Sequence, residues 1–179
     1  MATTAAPYGA RPIGTLSASG SFTGKVRHLP IITTYGTQIS NGDFCKVAAD
    51  GTIAKDTGTT ATTAVGIFMG CSYTDPTSKQ KTFSQFWPAS NAATDAMAYV
   101  LDDPFVVFQM QSDEALNTTD RGLNASVVVT AGNSTIGKSK NALDGSTPAT
   151  TNTLPLRIID FVDGPNSLPP KGTTASDAY

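Results

Sequence analysis

Residues Asn41–Tyr73 read NGDFCKVAADGTIAKDTGTTATTAVGIFMGCSY, and the order of turns and apolar runs in this stretch decides the fold class. Asn41-Gly42 is a turn pair, and Asp43 to Ala49 reads as a strand. Asp50-Gly51 reads as a two-residue turn of the kind that favours positive φ at both centres and closes a β-hairpin. Thr52 to Lys55 is the return strand, Asp56 to Thr63 a Thr/Gly loop, and Ala64 to Met69 a further apolar strand ending at Gly70. Turn, strand, turn, strand, loop, strand leaves no room for a helix. The stretch specifies an antiparallel meander.

Outward from this stretch the same grammar continues. Lys25 to Ile32 alternates weakly, and Pro30 removes a ladder donor, so the segment is an edge strand or a strand start. Thr74-Asp75-Pro76-Thr77 is a turn. Lys79 to Trp87, Ala96 to Leu101, Phe105 to Gln111, Ala125 to Thr130, Ile136 to Leu143 and Leu154 to Val162 all read as strands. Asp102-Asp103-Pro104 is expected to join two of them into a hairpin. Phe105 to Gln111 is apolar on both faces at its start, so it belongs in the middle of a sheet. Ser112 to Leu116 is the one helix-like signal, with Ser112 as an N-cap and acids in the first turn. Roughly eight to ten short strands with almost no helix point to an all-β chain, a small antiparallel barrel or sandwich. Met1 to Phe22 is expected to be an extended N-terminal arm, with Tyr8, Ile13, Leu16 and Phe22 as spaced apolar anchors. The β-domain covers 23–163, and 164–179 is a Pro/Gly/Ser-rich C-terminal tail.

Composition narrows the function. The hydrophobic fraction is 39% and the charged fraction 15%, the latter well under the roughly 25% of ordinary soluble domains. Net charge is −2 and Lys and Arg form no run, so the electrostatic footprint of a nucleic-acid binder is missing. The loose groups Lys25, Arg27, His28 and Lys79, Lys81 read as solvated strand faces. Cys45 and Cys71 sit in apolar strands and read as buried thiols. The N-terminus has neither the basic region nor the apolar core of a signal peptide, and no apolar run reaches the roughly 20 residues of a membrane span. Synthesis in a cytoplasm as a soluble chain is expected.

The run Asn41-Gly42-Asp43-Phe44, then Lys46, Asp50-Gly51-Thr52 and Val65-Gly66-Ile67-Phe68-Met69-Gly70 resembles the central part of the decoration (cement) proteins of tailed-phage capsids. The similarity extends from Pro7-Tyr8-Gly9 to Phe161-Val162-Asp163-Gly164. The resemblance implies a β-tulip-like domain on the outer surface of the virion. It implies the major capsid protein as partner and self-association at a local symmetry axis, most often as a trimer. Tyr8, Ile13, Leu16 and Phe22 of the arm, with Phe86 and Trp87, are the expected capsid or subunit contacts. For the aromatic group Phe83, Phe86 and Trp87, core packing is the competing reading. Other phage structural parts (tail, neck or fibre) are the alternative, although no internal repeat is visible. A carbohydrate-binding module would present several aromatics on one strand face, which Phe83, Phe86 and Trp87 do not.

No enzyme is expected, nor any cofactor or metal. Gly132–Ser139 (GNSTIGKS) satisfies the phosphate-loop pattern, but that chemistry needs a helix to begin at Lys138-Ser139 so that its amides face the phosphates. Asp144-Gly145-Ser146-Thr147-Pro148 follows too soon for one. His28 lacks partners at metal-ligand spacing, and no serine sits in a nucleophile-elbow pattern. Asp102, Asp103 and Asp163 are turn acids. The sequons at Asn117, Asn124 and Asn133 carry no meaning without secretion.

Overall fold

A computed structural model of the chain describes residues 6–17 and 24–162, and the backbone of 177–178. The chain is all-β and sandwich-like. Its strands are β1 (Arg11–Thr15), β2 (Arg27–Pro30), β3 (Phe44–Val47), β4 (Ile53–Lys55), β5 (Gly66–Thr74), β6 (Lys81–Ser84) and β7 (Met97–Leu101). The second half adds β8 (Val106–Gln111), β9 (Asn124–Ala125), β10 (Val127–Val128), β11 (Ala142–Leu143), β12 (Leu156–Arg157) and β13 (Asp177–Ala178).

The central sheet is six-stranded and antiparallel, in the order β2-β7-β5-β3-β4, with β6 also on β5. Pro30 lies on β2, the edge strand, as its missing donor requires. The sheet bends until Ile31, just past β2, bridges Ile53 of β4. Among the described residues that single bridge joins the two edges. The sheet is therefore open, and the barrel half of the sequence expectation is corrected to a sandwich layer.

Strand alternation sends neighbours to opposite faces, and two cores result. Cys45, Ile53, Phe68, Cys71 and Val100 pack with Trp87 on the concave face. Phe44, Ile67, Met110, Val127, Leu143 and Ile158 form the second core on the other face, under β8 and the short strand pairs. The expected end of β5 at Gly70 is corrected, since the strand runs on to Thr74. Its register with β7 shifts between Phe68 and Gly70. The extra residue, Met69, turns toward the second core, and Cys71 and Tyr73 rejoin Phe68 in the first. Gly70 has φ 144 and a Cβ there would meet the Ser84 carbonyl at 2.9 Å, so glycine is what lets the bulge form without ending the strand.

Other local expectations change for identifiable reasons. β3 and β4 form the expected hairpin, but the Gly51 amide donates to the Ala48 carbonyl (2.9 Å) and Ala48 pairs with Thr52 (2.8 Å). The connection is a three-residue loop with Gly51 alone at positive φ. β7 and β8 are not a hairpin. β7 pairs with β2 and β5, whereas β8 pairs with β1 and β13, so Asp102-Asp103-Pro104 carries the chain from one layer to the other. The helix expected at Ser112–Leu116 is absent: Ser112 bridges Leu143, and the helical turn is a short 3-10 segment at Thr118–Asp120. β8 is central in its sheet, as its apolar start requires.

The described part of the N-terminal arm is fastened to its own chain. Ala10 is buried in the second core, the Gly9 amide donates to the Asn141 carbonyl (3.1 Å), and β1 pairs along β8. On the far side of β8, Asp177 and Ala178 pair with Gln111 and Met110. Segments from both ends of the chain thus close on one strand.

Candidate functional site

β8 shows where the chain leaves apolar surface uncovered. Val106, Val107, Phe108 and Gln109 are all only half-buried, on both faces, although β1 and β13 flank the strand. Between β8 and β12 runs a cleft of about 540 Å³, lined by Val106, Phe108, Met110, Leu156, Ile158 and other residues that include Leu16. A second recess of about 310 Å³ continues it past Pro104, Val106, Phe108, Pro155 and Leu156 toward Asp102 and Asp103.

Apolar side chains are also exposed on the segments that flank β8. Leu16 is 63% exposed, Phe105 56% and Ile13 43%. The Leu16 amide donates to the Phe105 carbonyl at 2.8 Å, which holds those two side chains side by side. Ile13 sits at a register shift in β1, between Pro12 and Gly14. At one end of the cleft Arg121 pairs with Asp160 (2.6 Å) and lies over the Phe161 ring. At the other, Asp102 pairs with Arg27, and the Asp103 carboxylate accepts the Phe105 amide at 2.9 Å, a turn-acid role.

The expected contact residues divide. Leu16 lines the cleft, Ile13 is exposed on β1, Tyr8 is half-buried beside the Asn41-Gly42 turn, and Phe22 lies outside the described residues. Trp87 is a correction. It has no exposed surface, and its ring meets Tyr73 edge-on at 5.5 Å inside the first core. An interface role for it is unavailable because its own sheet encloses it. Phe86 is half-buried and packs where a Gly137 side chain would have to be. Among the described residues Phe83, on β6, is a strongly exposed aromatic at 74%. Phe105, beside the cleft, and Ile159, which lines it, were not among the sequence candidates. The signal for Phe105 was the both-faced apolar start of the Phe105–Gln111 run, read as burial, and that for Ile159 the apolar run Leu154–Val162, read as a strand.

The phosphate-loop pattern serves packing. The Asn133 carboxamide oxygen accepts the amides of Thr135 (2.8 Å) and Ile136 (3.0 Å), closing a tight turn. The chain then runs into β11 instead of a helix, and the Ser139 hydroxyl donates to Asp43 at 2.6 Å. His28 lies over Tyr99 with ring centroids 4.6 Å apart.

The densest group of charges is internal. Lys55 Nζ lies 2.9 Å from Asp43 Oδ2, with side-chain exposures of 6% and 0%. Asp43 Oδ2 also accepts the Ser40 amide (2.8 Å), while Oδ1 takes the Ser139 hydroxyl. Asp56 is buried too, accepting the Gly58 amide on Oδ1 (2.9 Å) and the Thr63 amide on Oδ2 (2.8 Å). Cys45 stands opposite Lys55 in the ladder and on the same face as Asp43. Burial, and then the Asp43 charge, push its thiol well above the ordinary range, so it stays protonated. Among the described residues no group of three or more His, Cys, Asp or Glu side chains is placed to hold a metal ion. No helix among them is long and apolar enough to cross a membrane.

Comparison with family models, curated proteins and solved structures finds no match to this chain.

Proposed function

We propose that the protein is a structural component of a phage virion that binds the outer surface of the assembled capsid and stabilises contacts between major capsid protein subunits. The observation that carries this reading is the uncovered β8 face: an apolar cleft lined by Leu16, Val106, Phe108 and Ile159, with the exposed Phe105 joined to Leu16 through its backbone carbonyl. A contiguous apolar surface of this kind marks an interaction site. The low charge of the whole chain suits a surface that other subunits cover. The likeness of Asn41–Phe44, Asp50–Thr52 and Val65–Gly70 to decoration proteins supplies the partner. In this reading the role is mechanical and non-enzymatic. The chain is made in the host cytoplasm, meets capsid protein and copies of itself as a trimer, and favours assembly because it binds the shell and not free subunits.

Deleting Met1–Phe22 is a poor test, because it removes β1 and bares an edge of β8. Replacing Leu16 and Phe105 together with serine leaves every backbone pairing in place. The double variant is expected to fold and to lose capsid occupancy in a co-sedimentation assay. Occupancy equal to wild type would remove the β8 face from the mechanism.

A further inference from the structure

The Asp43–Lys55 pair has no part in the interface. Its two reacting groups are held 2.9 Å apart, both in the protein interior. The pair bridges β4 and the turn that leads into β3, segments that the hairpin already holds in fixed register. We propose that Lys55 and Asp43 condense into an intramolecular isopeptide bond, a covalent clasp inside the β-domain.

The step balances without a co-reactant. Proton transfer from the Lys55 ammonium to the Asp43 carboxylate gives a neutral amine and a carboxylic acid. Nζ attacks Cγ, the N–C bond forms, and one C–O bond breaks. The departing oxygen leaves as water, carrying the acid proton and one amine proton. Nothing is oxidised or reduced. The Ser40 amide and Ser139 hydroxyl already point at the two carboxyl oxygens. They are placed to hold the charge that grows on oxygen as the tetrahedral intermediate forms. Preset proximity replaces the entropy cost of bringing amine and acid together. Once formed, the amide sits where water does not reach it, so hydrolysis is slow.

Mass spectrometry of the full-length chain tests this. The denatured protein is expected about 18 Da below its sequence mass, the loss of one water. Succinimide formation at an Asp-Gly pair gives the same deficit, so peptide mapping decides between them. Trypsin should fail to cut after Lys55, and residues 28–46 should be recovered covalently joined to 47–79. Lys55→Arg keeps the cation, and that variant should show its full mass. If it does not fold, the wild-type map still decides. Folded wild-type protein that retains full mass on prolonged incubation, with normal cleavage after Lys55, overturns the proposal and leaves a simple buried ion pair.

Discussion

The two faces of the central sheet are finished to different degrees. On the concave face Trp87, Phe68, Ile39 and Val100 have no exposed surface, and the sheet curls around them. On the other face the second core is sealed at Phe44, Ile67 and Ile158, but its outer strand β8 stays half-covered and a cleft lies beside it. The same chain therefore completes one core alone and leaves the other with apolar surface to spare. The sealed face sets stability, while the open face leaves apolar area exposed.

Substitutions should separate the two. Trp87→Ala is expected to cost about 3–5 kcal/mol in denaturant unfolding, because a fully enclosed indole leaves a cavity. Lys55→Ala should be of similar size, about 3–5 kcal/mol, since it strands Asp43 as a buried charge. A loss under about 1 kcal/mol in either variant would mean that the concave side is less tightly built than its burial indicates. Gly137→Ala comes next, at about 1–3 kcal/mol. It forces a side chain at φ 67 and into the Phe86 ring. An unchanged unfolding midpoint would show that this loop yields freely.

A smaller effect should depend on pH. The Lys81 ammonium, then the Thr74 amide and hydroxyl, hold the Asp95 carboxyl well below its ordinary 3.8. A depressed folded value means the contribution is fully present above the unfolded pKa and fades as pH falls through the folded one. Asp95→Asn should therefore lower the thermal midpoint slightly at neutral pH, and the gap to wild type should close in strong acid. A gap that widens on acidification would contradict the linkage. Smallest of all, Leu16→Ser and Phe105→Ser should each change folding stability by no more than about 0.5 kcal/mol, as surface substitutions do.

The pattern of what the sequence revealed follows the same division. The β3–β4 hairpin and the edge position of Pro30 were legible because turn chemistry and a missing amide are local signals. The course of β5 through Gly70 was not, since a bulge and a strand end share the same glycine. β7 and β8 looked like a hairpin because Asp102-Asp103-Pro104 is a good turn; which layer each strand joins depends on distant partners such as β1 and β2. Ile13 and Leu16 stood out as apolar residues in a segment otherwise poor in them. Trp87 misled, since the features that favour an interface aromatic favour a core one equally. Lys55 could have been noticed as a cation opposite Cys45 on an inward-facing register, but only once that register was known.

The decisive measurement is quantitative binding of the purified chain to assembled capsids from the same genome, set beside unassembled capsid subunits. Saturable binding to capsids alone is expected, weakened about tenfold or more when Leu16 and Phe105 are both serine, with the unfolding midpoint unchanged. No binding to assembled capsids, or equal binding of wild type and double variant, would contradict a role for the open β8 face.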